Sequence, residues 1–161
     1  GILASSMGTH TLNEAYYLYW GKSNLPDADP NMGYLKMHGR KIYEFALTHV
    51  PAAMKKSLDE AGVDIHEVKK VLIHQANEKL DFEVIKRFYC LYKIRELPEN
   101  IMPMSIHLLG NSSVATVPTL YDSVRKGTIE GHHELSKGDL ILLASVGAGM
   151  NINCIAYRYN G

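Results

Sequence analysis

The spacing of apolar positions changes several times along the chain, and each change marks an element. Ile2, Leu3 and Ala4 open an apolar stretch that fades by Gly8-Thr9-His10 and reads as a strand. Breaks at Leu25-Pro26, Asp29-Pro30 and Asn31 predict a loop over 22–33. After Gly39, residues Ile42, Phe45, Ala46 and His49 fall at helical spacing. Pro51 is suited to start a second helix, with Met54, Leu58 and Ala61 on one face and Gly62 as its stop. Asp64 can cap a short turn, and the compact run Val71-Leu72-Ile73 predicts a buried strand. Asn77 is placed as the N-cap of a helix in which Leu80, Val84, Phe88 and Leu91 repeat every three or four residues. Pro98 and Pro103 bracket a connector that includes Ile101. A further helix begins near Ser112 or Ser113, carries Val117, Leu120, Tyr121 and Val124, and stops at Gly127, with Pro118 kinking it or loosening its first turns. Residues 128–138 form a polar loop, 140–146 an apolar strand, Gly147-Ala148-Gly149 a tight reversal, and 151–159 a last strand antiparallel to the one before. The alternation predicts an α/β fold, a layered βαβαβαββ-type domain with a mixed sheet covered by helices.

Composition narrows the function. A chain of 161 residues that is 46% hydrophobic can bury a core without covalent staples. Seventeen basic residues balance seventeen acidic ones. The basic excess expected of a nucleic-acid or anionic-membrane binder is therefore missing. No apolar run approaches the roughly 18 residues of a membrane span. Two cysteines, Cys90 and Cys154, make no disulfide framework, which points to a reducing, cytoplasmic setting. Gly1 stands where an initiator Met would, and a strand is already under way, so a longer parent protein is expected.

Three short segments could carry chemistry. His74-Gln75-Ala76-Asn77 lies between a predicted strand and a predicted helix, where α/β sheets collect ligands. Gly110-Asn111-Ser112-Ser113 again precedes a helix, and Asn111 can donate a side-chain N–H to an oxygen. Gly147-Ala148-Gly149 could expose backbone N–H groups to an oxyanion. Each segment alone is more simply a packed histidine, an N-cap or a hairpin turn.

The three in this order are more specific. With Met37-His38-Gly39-Arg40, Lys137-Gly138-Asp139-Leu140 and Tyr159 they resemble the C-terminal half of 3-oxoacyl-ACP synthase III (ketoacyl synthase III), of the thiolase-like superfamily. The resemblance implies that residues 1–33 are the end of an N-terminal half with its connector, and that 34–161 are the C-terminal thiolase-like domain. It also implies a Cys-His-Asn site in which His74 and Asn111 are catalytic and the backbone N–H near Ala148 serves an oxyanion. The reaction implied is a decarboxylative Claisen condensation of acyl-CoA with malonyl-ACP in fatty-acid biosynthesis. Those two are substrates, and neither a cofactor nor a metal is implied. Two neutral donors, His74 and Asn111, could hold the malonyl enolate without burying a full charge.

The family's nucleophilic Cys belongs to the N-terminal half. Cys90 and Cys154 read as packing residues, so this segment alone should not condense. The triplet reads Gly147-Ala148-Gly149 where the family has three glycines, and Val146 stands where an aromatic residue is common. Both changes bear on acyl-chain preference. Lys79, Lys86 and Arg87 match basic residues that dock the acidic carrier protein, although Glu78, Asp81 and Glu83 dilute their field. His132-His133 reads as part of a solvated insertion. Tyr16, Tyr17, Tyr19 and Trp20 could line a groove or, more simply, pack against the other half. The partners implied are acyl carrier protein, acyl-CoA, that half and a second copy in a homodimer. The alternatives are a non-catalytic carrier-binding module, a sister transacylase or hydrolase, and a polyketide- or pigment-pathway ketosynthase.

Overall fold

The computed structural model describes residues 1–161. Its elements run β1 (Ile2–Thr9), β2 (Leu18–Lys22), β3 (Gly33–Met37), α1 (Gly39–Ala61), β4 (Val68–Ile73), α2 (Glu78–Cys90), α3 (Ile106–Leu109), α4 (Thr116–Lys126), β5 (Leu140–Gly147) and β6 (Asn151–Arg158). Four strands make one mixed sheet in the order β1-β6-β5-β4. β4 and β5 are parallel, while β5–β6 and β1–β6 are antiparallel. β2 and β3 form a separate hairpin, pairing Leu18 with Met37 through Lys22 with Gly33.

The sheet is covered on both faces, which is why residues 71–73 of β4 and 140–144 of β5 read as unbroken apolar runs. Val71 and Ile73 of β4, with Leu140, Leu142 and Ala144 of β5, face the layer of α1 and α2. Leu72 and Ile141 point the other way, onto Leu120 and Val124 of α4. Cys154 of β6 is fully buried in the larger core, and burial pushes its thiol up to about 12. Full burial matches a packing role.

Several expectations need correction. Pro51 does not begin a second helix, because α1 runs unbroken through it for 23 residues. Phe45, Ala46, Val50, Met54 and Leu58 form one buried stripe across the proline, and packing that stripe on the sheet outweighs one lost hydrogen bond. Leu91 is not on the buried face. It is the exposed C-cap of α2, and Ile85 and Tyr89 fill that face with Val84 and Phe88. Cys90 is exposed at the end of α2, on the same side as Lys86 and Arg87, rather than packed. The hairpin β2–β3 and the short α3 had no clear periodic signature. Asp64 does cap a turn, in a reciprocal capping box with Glu67. Asn77 caps α2 by accepting from the Leu80 N–H at 3.2 Å. Gly62 and Gly127 end α1 and α4 in the left-handed conformation. Pro118 sits in the first turn of α4, preceded by a single 3-10 turn over Ser113–Ala115.

The segment around His132-His133 is solvent-exposed for the most part, but His133 itself is buried. The organiser is Lys70, only 3% exposed, whose Nζ donates to the carbonyls of Asn100 at 2.6 Å and His132 at 3.0 Å. Its ammonium ties two connectors to β4, and Ile101 reinforces the tie by accepting from the Val71 N–H at 2.8 Å. Burial lowers the Lys70 pKa, with Lys69 adding to the effect. Lys70→Met is expected to leave both carbonyls without this donor and to lower stability by about 2–3 kcal/mol in urea unfolding. A loss below about 0.5 kcal/mol would show that the tie is incidental.

Candidate active site

The parallel ladder of β4 and β5 ends with Ile73 opposite Ala144. One further bond follows, from the His74 N–H to the Ala144 carbonyl at 2.9 Å. His74 therefore leaves the sheet at its carboxyl edge with its main chain held on one side. The imidazole is half-buried and interacts with the Ser113 backbone. Burial holds its pKa below the ordinary 6.5, and the Ser113 contact offsets this in part. The ring is thus neutral at physiological pH and can donate one N–H.

Gln75 turns inward and is fully buried. Its Nε2 donates to the Pro103 carbonyl at 2.7 Å, and its Oε1 accepts from the Ser105 N–H at 2.8 Å and from Ser105 Oγ at 3.1 Å. The side chain thereby fixes the segment that leads through α3 to Gly110 and Asn111. Gly110 has φ 63° and ψ −160°, a conformation that is essentially restricted to glycine. Asn111 Oδ1 accepts from the Ser113 N–H at 2.9 Å, which leaves Nδ2 as the donor end of an exposed carboxamide. Through Ser113 the structure brings His74 beside the turn that carries Asn111.

The third segment closes the same edge. β5 runs parallel to β4 and delivers Gly147, Ala148 and Gly149 beyond Val146, which shares a small cavity with His74. Gly149 has φ 72°, and Asn151 Nδ2 donates to the Ala148 carbonyl at 2.7 Å. The His10 N–H donates to the Met150 carbonyl at 3.1 Å, so the exit of β1 also reaches this turn. The rings of His10 and His49 lie 4.4 Å apart there, and burial lowers the His49 pKa first, with His10 adding to it. Lys79, Lys86 and Arg87 are exposed on α2, and Lys86 lies 3.4 Å from Glu83.

Sequence reasoning gave no role to Gln75, and nothing in periodicity marks a buried amide next to a catalytic-type histidine. It also placed Asp81 with Glu78 and Glu83 as an acid diluting the cationic face of α2, whereas the side chain is buried on the inward face, for which a signal existed. Asp81, Val84, Ile85 and Phe88 follow helical spacing, so an acid occupies a stripe position that should be apolar.

Comparison with known proteins finds relatives over most of the chain. Residues 58–159 match the family profile described as 3-Oxoacyl-[acyl-carrier-protein (ACP)] synthase III C terminal. The chain is 30% identical over 136 residues to the beta-ketoacyl-[acyl-carrier-protein] synthase III of Thermosynechococcus vestitus, which covers 84% of this chain and 38% of that one. It is 36% identical over 115 residues to the protein of the same name from Lactobacillus delbrueckii subsp. bulgaricus, covering 71% and 32%. Among solved structures, 3-oxoacyl-[acyl-carrier-protein] synthase III from Aquifex aeolicus superposes with a TM-score of 0.76 at 27% identity, over 98% of this chain and 44% of that one. The Thermus thermophilus beta-ketoacyl-[acyl carrier protein] synthase III shares the fold with a TM-score of 0.79 over the whole chain and 47% of its own. The chain thus spans between about a third and just under half the length of these relatives.

Proposed function

The chain belongs to the 3-oxoacyl-[acyl-carrier-protein] synthase III family, to its C-terminal part, and from that premise we propose that it forms the C-terminal catalytic half of a condensing acyltransferase. The lineage boundary falls near residue 33, with 34–161 as the C-terminal domain. β1 is nonetheless hydrogen-bonded into the same sheet, so that boundary does not separate independently folding parts. The reaction joins an acyl group from acyl-CoA to malonyl-ACP in fatty-acid biosynthesis and requires no cofactor. An N-terminal half supplies the nucleophilic Cys and takes up the acyl group as a thioester. Malonyl-ACP then loses carbon dioxide, and the electron pair of the broken C–C bond moves onto the thioester oxygen. His74 and Asn111 donate N–H groups to that oxygen. The enolate carbon attacks the acyl thioester, the backbone N–H at Ala148 stabilises the tetrahedral oxyanion, and the Cys thiolate departs.

The observation that carries this reading is the meeting of His74 with the Asn111–Ser113 turn at the carboxyl edge of β4 and β5. The full-length protein that carries this chain is expected to release carbon dioxide from malonyl-ACP and to form 3-oxoacyl-ACP when acyl-CoA is supplied. Absence of both products from folded protein would refute the assignment.

A second half also accounts for the apolar groups left exposed. Tyr16, Trp20, Leu35 and Met37 on and around the hairpin are 61–77% exposed, and Val114 beside Asn111 is 91% exposed. Such a surface is costly to leave in water and is suited to the N-terminal half and to a homodimer partner. No helix is long and apolar enough to cross a membrane; the cytoplasmic setting is proposed from the two unpaired cysteines.

Lys79, Lys86 and Arg87 present a cationic flank on α2, whose N-terminus lies near His74, and are assigned to docking acidic carrier protein. Reversing two of them, as Lys86→Glu with Arg87→Glu, is expected to raise KM for malonyl-ACP about five- to tenfold at low salt with kcat unchanged. The effect should shrink as salt is added. A KM indifferent to both reversals would remove these residues from the docking surface.

A further inference from the structure

Asp81 is a buried titratable group that the condensation leaves unused. It is 3% exposed on the inward face of α2, and its Oδ2 has no hydrogen-bond partner. An orphaned buried carboxyl oxygen in an apolar stripe calls for a partner. Asp81 lines a cavity of about 20 Å³ together with His74, and the other seven lining residues are hydrophobic, among them Val50 of α1 and Val146 of β5. That volume exceeds the roughly 10–15 Å³ one water needs, provided that two or more polar groups hold it. The ladder supplies the second group. The His74 N–H is bonded to Ala144, but no backbone N–H returns to the His74 carbonyl. The two strands part at His74, and Val146, the next inward-facing residue of β5 after Ala144, reaches the cavity.

We propose that Asp81 is a positioning residue for His74: its carboxyl anchors one water in this cavity and, through that water, the main-chain carbonyl of His74, which sets the pose of the imidazole. The inference rests on His74 being the catalytic imidazole. Burial, with Glu78 adding to it, pushes the Asp81 carboxyl up to about 7, so at and below neutral pH a large share carries the proton and offers an O–H donor. α1 and β5 present only apolar groups to the cavity, β4 leads into His74, and Glu78 is the one charged group acting on Asp81.

The test uses the full-length protein labelled with 13Cε1-histidine, with Asp81→Asn and Asp81→Leu. Asn keeps the size and a hydrogen-bonding end, while Leu suits the stripe and should fold at least as well. Asp81→Leu is expected to lower kcat for malonyl-ACP decarboxylation about tenfold with KM unchanged, and to move the His74 resonance. Asp81→Asn is expected to keep kcat within about twofold and the resonance in place. A high-resolution crystal structure should show a water within hydrogen-bond reach of Asp81 and the His74 carbonyl. A dry cavity, or a folded Leu variant with wild-type kcat and an unmoved His74 resonance, overturns the proposal. If the parent protein never decarboxylates malonyl-ACP, the functional reading fails, and the resonance and the crystal water still decide the role of Asp81.

Discussion

His74→Ala and Asn111→Ala, each placed in the full-length protein that carries this chain, are expected to slow malonyl-ACP decarboxylation about 10²- to 10³-fold. Transfer of the acyl group from acyl-CoA to the nucleophilic Cys should continue, because that step uses neither donor on the malonyl oxygen. The size follows from what each donor does. Negative charge appears on the thioester oxygen only as carbon dioxide leaves, so a donor aimed there acts on the transition state more than on bound substrate. The two donors are neutral, which avoids burying a permanent charge at the edge of an apolar sheet. Burial keeps His74 below the usual 6.5. The neutral ring persists above its own lowered pKa and is lost as pH falls through that value. The decarboxylation rate should therefore stay level from pH 8 to 7 and fall only in more acid solution. A pH profile that already declines between 8 and 7 would mean that His74 works as imidazolium. Unchanged carbon dioxide release in both alanine variants would eliminate the enolate site.

Gln75→Leu is the second large effect. The amide satisfies a carbonyl, an N–H and a hydroxyl across a distance of 28 to 30 residues in sequence. Leucine matches its bulk but leaves Pro103 O and Ser105 N unpaired in a dry interior. A stability loss of about 3–5 kcal/mol is expected, a large fraction of a typical domain total. The loss should not be uniform. The amide hydrogen of Ser105 should exchange faster, since its acceptor is gone, and the turn at Gly110 and Asn111 should lose its fixed position. In the assembled enzyme that would appear as a fall in kcat close to that of Asn111→Ala. A loss below about 1 kcal/mol with normal Ser105 protection would show that the clamp is dispensable.

These two predictions also show where the sequence was legible. His74, Asn111 and the Gly147–Gly149 turn stood out because each combines a chemical group with a backbone signal, a strand exit or a glycine. The runs Val71-Leu72-Ile73 and 140–146 announced buried strands because both faces of the sheet are covered. Gln75 and Lys70 were not legible in the same way, because their roles depend on partners 28 or more residues away and local pattern carries no record of such partners. The helical spacing marks Asp81 as inward-facing, but the cavity it lines is formed by four elements and leaves no local trace. Pro51 misled because its local preference is real but weaker than the apolar stripe that continues through it. Cys90 misled because apolar neighbours in sequence lie about 100° apart on a helix, so Phe88 and Tyr89 can be buried while Cys90 faces water.

The central claim is that an imidazole and a carboxamide act on one oxygen, and a double-mutant cycle tests it most directly. Decarboxylation of malonyl-ACP should be measured in the full-length protein as wild type, His74→Ala, Asn111→Ala and the double variant. Groups that serve one developing charge act as a unit, so the double variant should be little worse than the poorer single one. Losses that multiply, with the double variant slower by the product of the two single effects, would mean that the residues act independently and would contradict the account.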